Sequence, residues 1–104
     1  MKWEQVGEIG VDAGLCWIGD PCYCVTPDAD SHPAPTWGEF CDKLGALEKN
    51  GAAQWDFPLG HAGLGVSVST GYGDGCYPVY VRRAKDGRVA EVKVVFIERH
   101  TGAA

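Results

Sequence analysis

The stretch CYPVYVRRAKDGRVAEVKVVFIER, residues 76–99, decides what kind of fold the rest of the chain can join. Two runs rich in β-branched and aromatic residues, CYPVYVRR and RVAEVKVVFIER, flank the tetrapeptide AKDG. Asp-Gly between two such runs marks a tight hairpin corner, because glycine takes a positive φ at no steric cost. A β-hairpin is expected. In its second strand Ala90, Val92, Val94 and Phe96 point one way, and Glu91 and Lys93 share the other face with Val95 and Ile97. That second face turns apolar at its far end. Apolar surface left in water is uncommon on a monomer, so a subunit contact, and with it a homo-oligomer, is expected.

Working outward, the stretch 63–75, GLGVSVSTGYGDG, alternates Leu64, Val66 and Val68 with Gly65, Ser67 and Ser69, and Gln54, Trp55, Asp56 and Phe57 alternate before it; both read as strands. At the other end, Val6, Ile9, Val11, Leu15, Trp17 and Ile18 surround Gly7, Gly10 and Gly14, which predicts a further hairpin turning near Asp12-Ala13-Gly14. The segment VTPDADSHPAPT, with its three prolines, excludes regular structure and predicts a surface loop. A helix follows it. Thr36 can accept from the amide of Glu39 while Glu39 reaches back, a capping box, and Trp37, Phe40, Cys41, Leu44 and Leu47 recur at helical spacing over residues 37–49. The expected fold is α+β: a mostly antiparallel, twisted β-sheet of about five to seven strands with one amphipathic helix packed on it.

With 104 residues the chain has room for one modest core, so a single domain spanning residues 1–104 is expected. Apolar residues at 45% and charged residues at 22% exclude a disordered composition, and fifteen glycines point to many tight turns. The formal charge of −5 opposes non-specific attraction to a nucleic-acid backbone, so no nucleic-acid polymer is expected as partner. No apolar run approaches the ~20 residues of a membrane span, and the start MKWEQVGEIG lacks the apolar stretch of a secretory signal. No membrane association is expected, and the cytoplasm is the expected compartment. Cys16, Cys22, Cys24, Cys41 and Cys76 are odd in number, so a closed disulfide framework would leave one over; small free thiols are the expectation.

One pentapeptide pattern occurs twice, as GDPCYC at residues 19–24 and GDGCYP at residues 73–78. Each copy lies beside an expected strand. There an aspartate can accept from the amides just beyond it in an Asx-turn, the glycine supplies an unusual backbone angle, and tyrosine and cysteine fill the sheet. The same residues could also form a binding rim, with Asp20 and Asp74 accepting from ligand hydroxyls or amines and Tyr23, Tyr72 and Tyr77 stacking on a flat ring. Arg82, Arg83, Lys85 and Arg88 are the basic cluster, either a solvated hairpin tip or an anion clamp; adjacent Arg82 and Arg83 cannot face the same side of a strand.

Other chemistries fit less well. Cys22, Cys24 and Cys76 with Asp20, Asp74 or His61 lack the paired spacing of a zinc site, so no metal is expected. A cysteine nucleophile at Cys22 or Cys76 would need His32, His61 or His100 beside it, which the sequence does not place there. The glycines of residues 63–75 lack the lysine-plus-hydroxyl ending of a phosphate-binding loop. No catalytic residue and no cofactor is expected.

The segment GYGDGCYPVYVRRAKDGRVAEVKVVF resembles the C-terminal part of a family of small bacterial and phage proteins known as a domain of unknown function: Gly-Asp-Gly-x-Tyr-Pro-Val-Tyr, a turn with Asp-Gly-Arg, then an apolar strand. LCWIGDPCY resembles its looser N-terminal counterpart, and between Val25 and Trp55 no resemblance is seen. The resemblance implies a β-rich fold and no established chemistry. It also associates the chain with compact phage proteins that sequester host defence signals. The expected function is a non-enzymatic protein binding a small polar aromatic molecule, a nucleotide signal for instance, through Asp20, Tyr23, Tyr72, Asp74, Tyr77, Arg82 and Arg83. The alternative is an acidic protein-interaction module or inhibitor.

Overall fold

A computed structural model describes residues 2–23, 36–56 and 63–98. They form strands β1 (Glu4–Val11) and β2 (Leu15–Gly19), a short 3-10 turn at Pro21–Tyr23, helix α1 (Trp37–Leu47), and strands β3 (Ala52–Trp55), β4 (Gly65–Ser69), β5 (Gly75–Arg83) and β6 (Val89–Val94). The chain divides into two compact units, Met1–Gly14 with Thr70–Ala104, and Leu15–Ser69. The expected proline-rich loop, Phe57, Cys24 and all three histidines lie outside the described residues. Among the described residues no helix is long and apolar enough to cross a membrane.

The α+β class holds, but the single sheet does not. The six strands form two antiparallel sheets of three, in the orders β1-β5-β6 and β2-β4-β3. The expected hairpin at residues 12–14 is likewise corrected, because β1 pairs with β5 from Glu4↔Val81 to Val11↔Gly75, and β2 pairs with β4. Ladder length explains the choice: β5 has nine residues to match the eight of β1, and β2 has only five. Turn chemistry at Gly14 (φ 67°) bends the chain without specifying which strand the bend leads to. The carbonyl of Gly14 accepts from the Thr70 amide at 2.9 Å, where the chain rejoins this unit.

In the first unit the β5–β6 hairpin forms at the expected corner, but its second strand is shorter than expected: β6 ends at Val94, and Val95, Phe96 and Ile97 lie beyond it. Gly87 has φ 92°, its amide donates to the Ala84 carbonyl at 3.0 Å, and the Ala84 amide donates to the Arg88 carbonyl at 2.8 Å. Asp86 accepts from the Arg88 amide and then from its guanidinium, and those two bonds hold its exposed carboxyl below the ordinary carboxylate value. Val11, Tyr77 and Val81 are the buried apolar residues of this unit.

In the second unit α1 starts as expected, with the Thr36 hydroxyl accepting from the Glu39 amide at 3.3 Å. It stops at Leu47, two residues before the expected end, because Asn50 (φ 54°) and Gly51 (φ 82°) form a tight β-turn closed by Lys49 and Ala52. Asn-Gly suits that turn, since both central residues need positive φ. Phe40 and Leu44 of α1, with Trp17 and Tyr23, pack against buried Ala53, Trp55 and Leu64. Phe40 stacks on Trp55 at 4.5 Å between ring centres, and Trp17 meets both rings at 6.1 and 6.2 Å.

The alternation of β4 is right, but its buried face is the small one. Gly65 and Ser67 are buried while Val66 and Val68 are only half-buried. Tryptophans account for this inversion. Trp17 faces Ser67 and Trp55 faces Gly65 across the ladders, so indole rings occupy the space that larger β4 side chains would need. Trp55 Nε1 donates to Ser67 Oγ at 2.9 Å, satisfying a hydroxyl that is 1% exposed.

Candidate functional site

The site is built on the turn that leads into β5. The Gly73 amide donates to the Thr70 carbonyl at 3.0 Å, and Gly73 itself takes φ 91°. Its carbonyl then accepts from the Thr70 hydroxyl and from the Tyr77 hydroxyl, the latter at 2.7 Å. A Cβ on neighbouring Gly71 would lie 2.5 Å from Ile97 Cδ1, the flexible end of a half-exposed side chain that crosses the turn there. This bonding fixes Tyr77 inward, 5% exposed, with its ring edge-on to Phe96 at 5.3 Å. Tyr72 is left outside at 73% exposed.

Beyond the turn, Tyr72, Tyr77, Tyr80, Lys93, Phe96 and Glu98 line a half-open groove of about 880 Å³. Hairpin register creates it, because Tyr80 pairs with Lys93 across β5 and β6. The Lys93 ammonium lies 4.3 Å from the centre of the Trp3 ring and 5.4 Å from that of Tyr80. Ring faces attract a cation without using its N–H donors, so the ammonium is held in place and can still donate. Tyr80, Lys93, Phe96 and Glu98 are groove residues that sequence reasoning missed. Counting outward from the corner closed by Ala84 and Arg88 would set Tyr80 against Val92; a bulge between Arg82 and Arg83 shifts the register and brings Tyr80 opposite Lys93.

The residues singled out in the sequence are divided between the two units. Tyr72 and Tyr77 line the groove, and Asp74 is exposed in the turn beside it. Arg82 is ion-paired with Glu91, its Nε 2.6 Å from Oε1, and its guanidinium lies 4.8 Å from the Trp3 ring centre. Arg83 donates to Glu4 at 2.6 Å and to the Gly87 carbonyl at 3.1 Å. Each guanidinium therefore already has a carboxylate partner. Asp20 and Tyr23 belong to the Leu15–Ser69 unit, where Asp20 Oδ1 accepts from the Cys22 amide at 2.9 Å and Tyr23 packs on the aromatic core.

The two pentapeptide copies thus adopt different backbones. The first closes an Asx-turn into the 3-10 turn; the second opens a strand through Gly75 at φ 155°. Among the described residues no group of three histidine, cysteine, aspartate or glutamate side chains could hold a metal ion.

The described thiols differ in environment. Cys22, Cys41 and Cys76 are exposed and free, while burial pushes the Cys16 thiol above its ordinary pKa. Because the thiolate is the attacking form, Cys16 is expected to react with a thiol reagent at pH 8 roughly tenfold or more slowly than these three, and to catch up in denaturant. Mass-resolved alkylation checks this; equal rates would contradict the buried placement.

A family model described as a protein of unknown function, DUF4241, matches residues 6–94. The match runs through the stretch between Val25 and Trp55, where the motif-level resemblance stopped. No curated protein and no solved structure matches the chain.

Proposed function

We propose, for a chain that belongs to the DUF4241 family of proteins of unknown function, that it is a non-enzymatic small-molecule-binding protein and that the groove beside Tyr72 is its binding site. One observation carries this reading: four aromatic rings and the Lys93 ammonium converge on a single groove. Its volume of about 880 Å³ falls within the roughly 300–1,000 Å³ of small-molecule sites. The ligand class that suits these walls is a flat polar ring bearing an anionic group, as in a nucleotide. Exposed Tyr72 would cover the ring, Lys93 would donate to the phosphate, and Glu98 would accept from an amine or hydroxyl. Sequestering a nucleotide signal in phage defence would extend this reading, and support for that step comes from the family resemblance alone.

The test is calorimetric titration with nucleoside mono- and diphosphates, together with native mass spectrometry after incubation with a small-molecule extract of bacterial cells. Tyr72→Ala and Lys93→Ala are each expected to weaken binding about tenfold or more, equivalent to ~1.4 kcal/mol. Because Tyr72 is largely exposed, Tyr72→Ala should leave stability within about 0.5 kcal/mol of the parent. Binding unchanged in both variants, or no bound mass from either source, would overturn the assignment.

A further inference from the structure

We propose that β6 pairs with β6 of a second copy of this chain, antiparallel and centred on Val92. Among the described residues β6 is an edge strand, bonded to β5 on one side only. Its residues from Val89 to Lys93 are all exposed, with Val89 at 54% and Val92 at 59%. An edge of this kind is a template for further pairing.

The backbone phase determines which residues can bond outward. The Val95 amide donates to the Pro78 carbonyl at 3.3 Å, and Val94, Lys93, Val92 and Glu91 pair in turn with Val79, Tyr80, Val81 and Arg82. In an antiparallel ladder, residues bonded to the neighbour alternate with residues whose amide and carbonyl point away. Lys93 and Glu91 therefore bond toward β5, and Val92 and Val94 present their backbone groups to the free edge.

Side-chain complementarity then selects the register. Centring the two-fold on Val92 places Val92 against Val92 and Glu91 against Lys93 at two symmetric positions, with the bulged Ala90, which has no partner in β5, closing each end of the paired stretch beside Val94. Centring it on Glu91 or on Lys93 would bring like charges directly opposite, which is destabilising, and a one-residue slip would set valine against charge. Lysine on an edge ordinarily deters pairing, but here Lys93 leans over its own Trp3 and Tyr80 rings and Glu91 already accepts from its own Arg82, so the residues brought opposite one another across the edge carry opposite charges and neither exposes an unpartnered like charge. The other edge strands lack this property. β1 carries Glu4 and Glu8 with no basic residue, and β2 and β3 carry no ionised side chain. The contact is isologous, so it closes at two copies and does not propagate into a filament. It joins the two β1-β5-β6 sheets into one.

Sedimentation velocity of the full chain from about 1 µM to about 500 µM tests the proposal, a span that captures dissociation constants in the micromolar range. The parent is expected to show a concentration-dependent dimer. Val92→Lys puts like charges across the two-fold at an exposed position and should raise the dissociation constant at least about thirtyfold. Glu91→Lys and Lys93→Glu should each raise it about tenfold or more. Thermal melts of the variants show that each is folded. Tyr72→Ala, which alters the groove and not the edge, should dimerise normally, so loss of ligand binding and loss of pairing are separable. A parent monomeric throughout, or a dimer indifferent to Val92→Lys and Glu91→Lys, would overturn the proposal.

Discussion

Trp55→Ala is expected to destabilise the Leu15–Ser69 unit by roughly 3–5 kcal/mol, the cost of emptying a large aromatic site that cannot collapse. Trp55 is 4% exposed, sits in the core cluster with Ala53 and Leu64, and stacks on Phe40. Removing it takes away one of the two indole rings stacked on Phe40, the other being Trp37, and strips Ser67 Oγ of the indole donor. A domain of this size is ordinarily stable by about 5–15 kcal/mol, so one substitution consumes much of the total. Urea denaturation followed by far-UV circular dichroism measures it. Ser67→Ala separates the polar part: it leaves a buried Nε1–H without an acceptor and should cost about 1–3 kcal/mol. A Trp55→Ala loss under ~1 kcal/mol would mean that the indole is not packed as described.

The second large effect comes from adding one methyl group. A Cβ on Gly65 would collide with Trp17 Cζ2 and lie 2.6 Å from Cε2 and 2.8 Å from Cη2. Gly65 is on the central strand between β2 and β3, so its backbone is held on both sides, and the opposing atoms belong to a rigid ring. Gly65→Ala is therefore expected to cost roughly 2–3 kcal/mol, in the upper part of the range for overpacking. The cause is checkable by rescue. Trp17 Nε1 is buried without a hydrogen-bond partner among the described residues, so Trp17→Phe forfeits no indole bond while removing the colliding ring. The double variant should be more stable than the sum of the two single losses by about 1 kcal/mol or more. Strict additivity would show that the ring and the glycine are not in contact.

The groove was half legible in advance. Tyr72 and Tyr77 stood out because they flank the repeated Gly-Asp pattern, and both line it. Phe96 and Glu98 lie beyond the end of β6, where strand alternation no longer says which way a side chain points. Asp20 and Tyr23 were grouped with them because the two motif copies look alike. Likeness of five letters does not carry likeness of backbone: proline after Asp20 is taken into a 3-10 turn, while glycine after Asp74 accepts φ 155° and opens a strand.

By itself the sequence determined whatever rests on neighbours within a few positions. The Thr36 cap, the Asp86-Gly87 corner, the β5–β6 hairpin and the α+β class belong here, because capping, positive φ and side-chain period are properties of short segments. The tertiary structure alone decided what depends on distant partners. It paired β1 with β5 across more than sixty intervening positions. It also turned Gly65 and Ser67 inward to receive two indole rings, and it divided six strands into two sheets. Alternation assigns a residue to a face, but which strand lies alongside, and what packs on that face, follows from ladder length and from the shapes that must fit together.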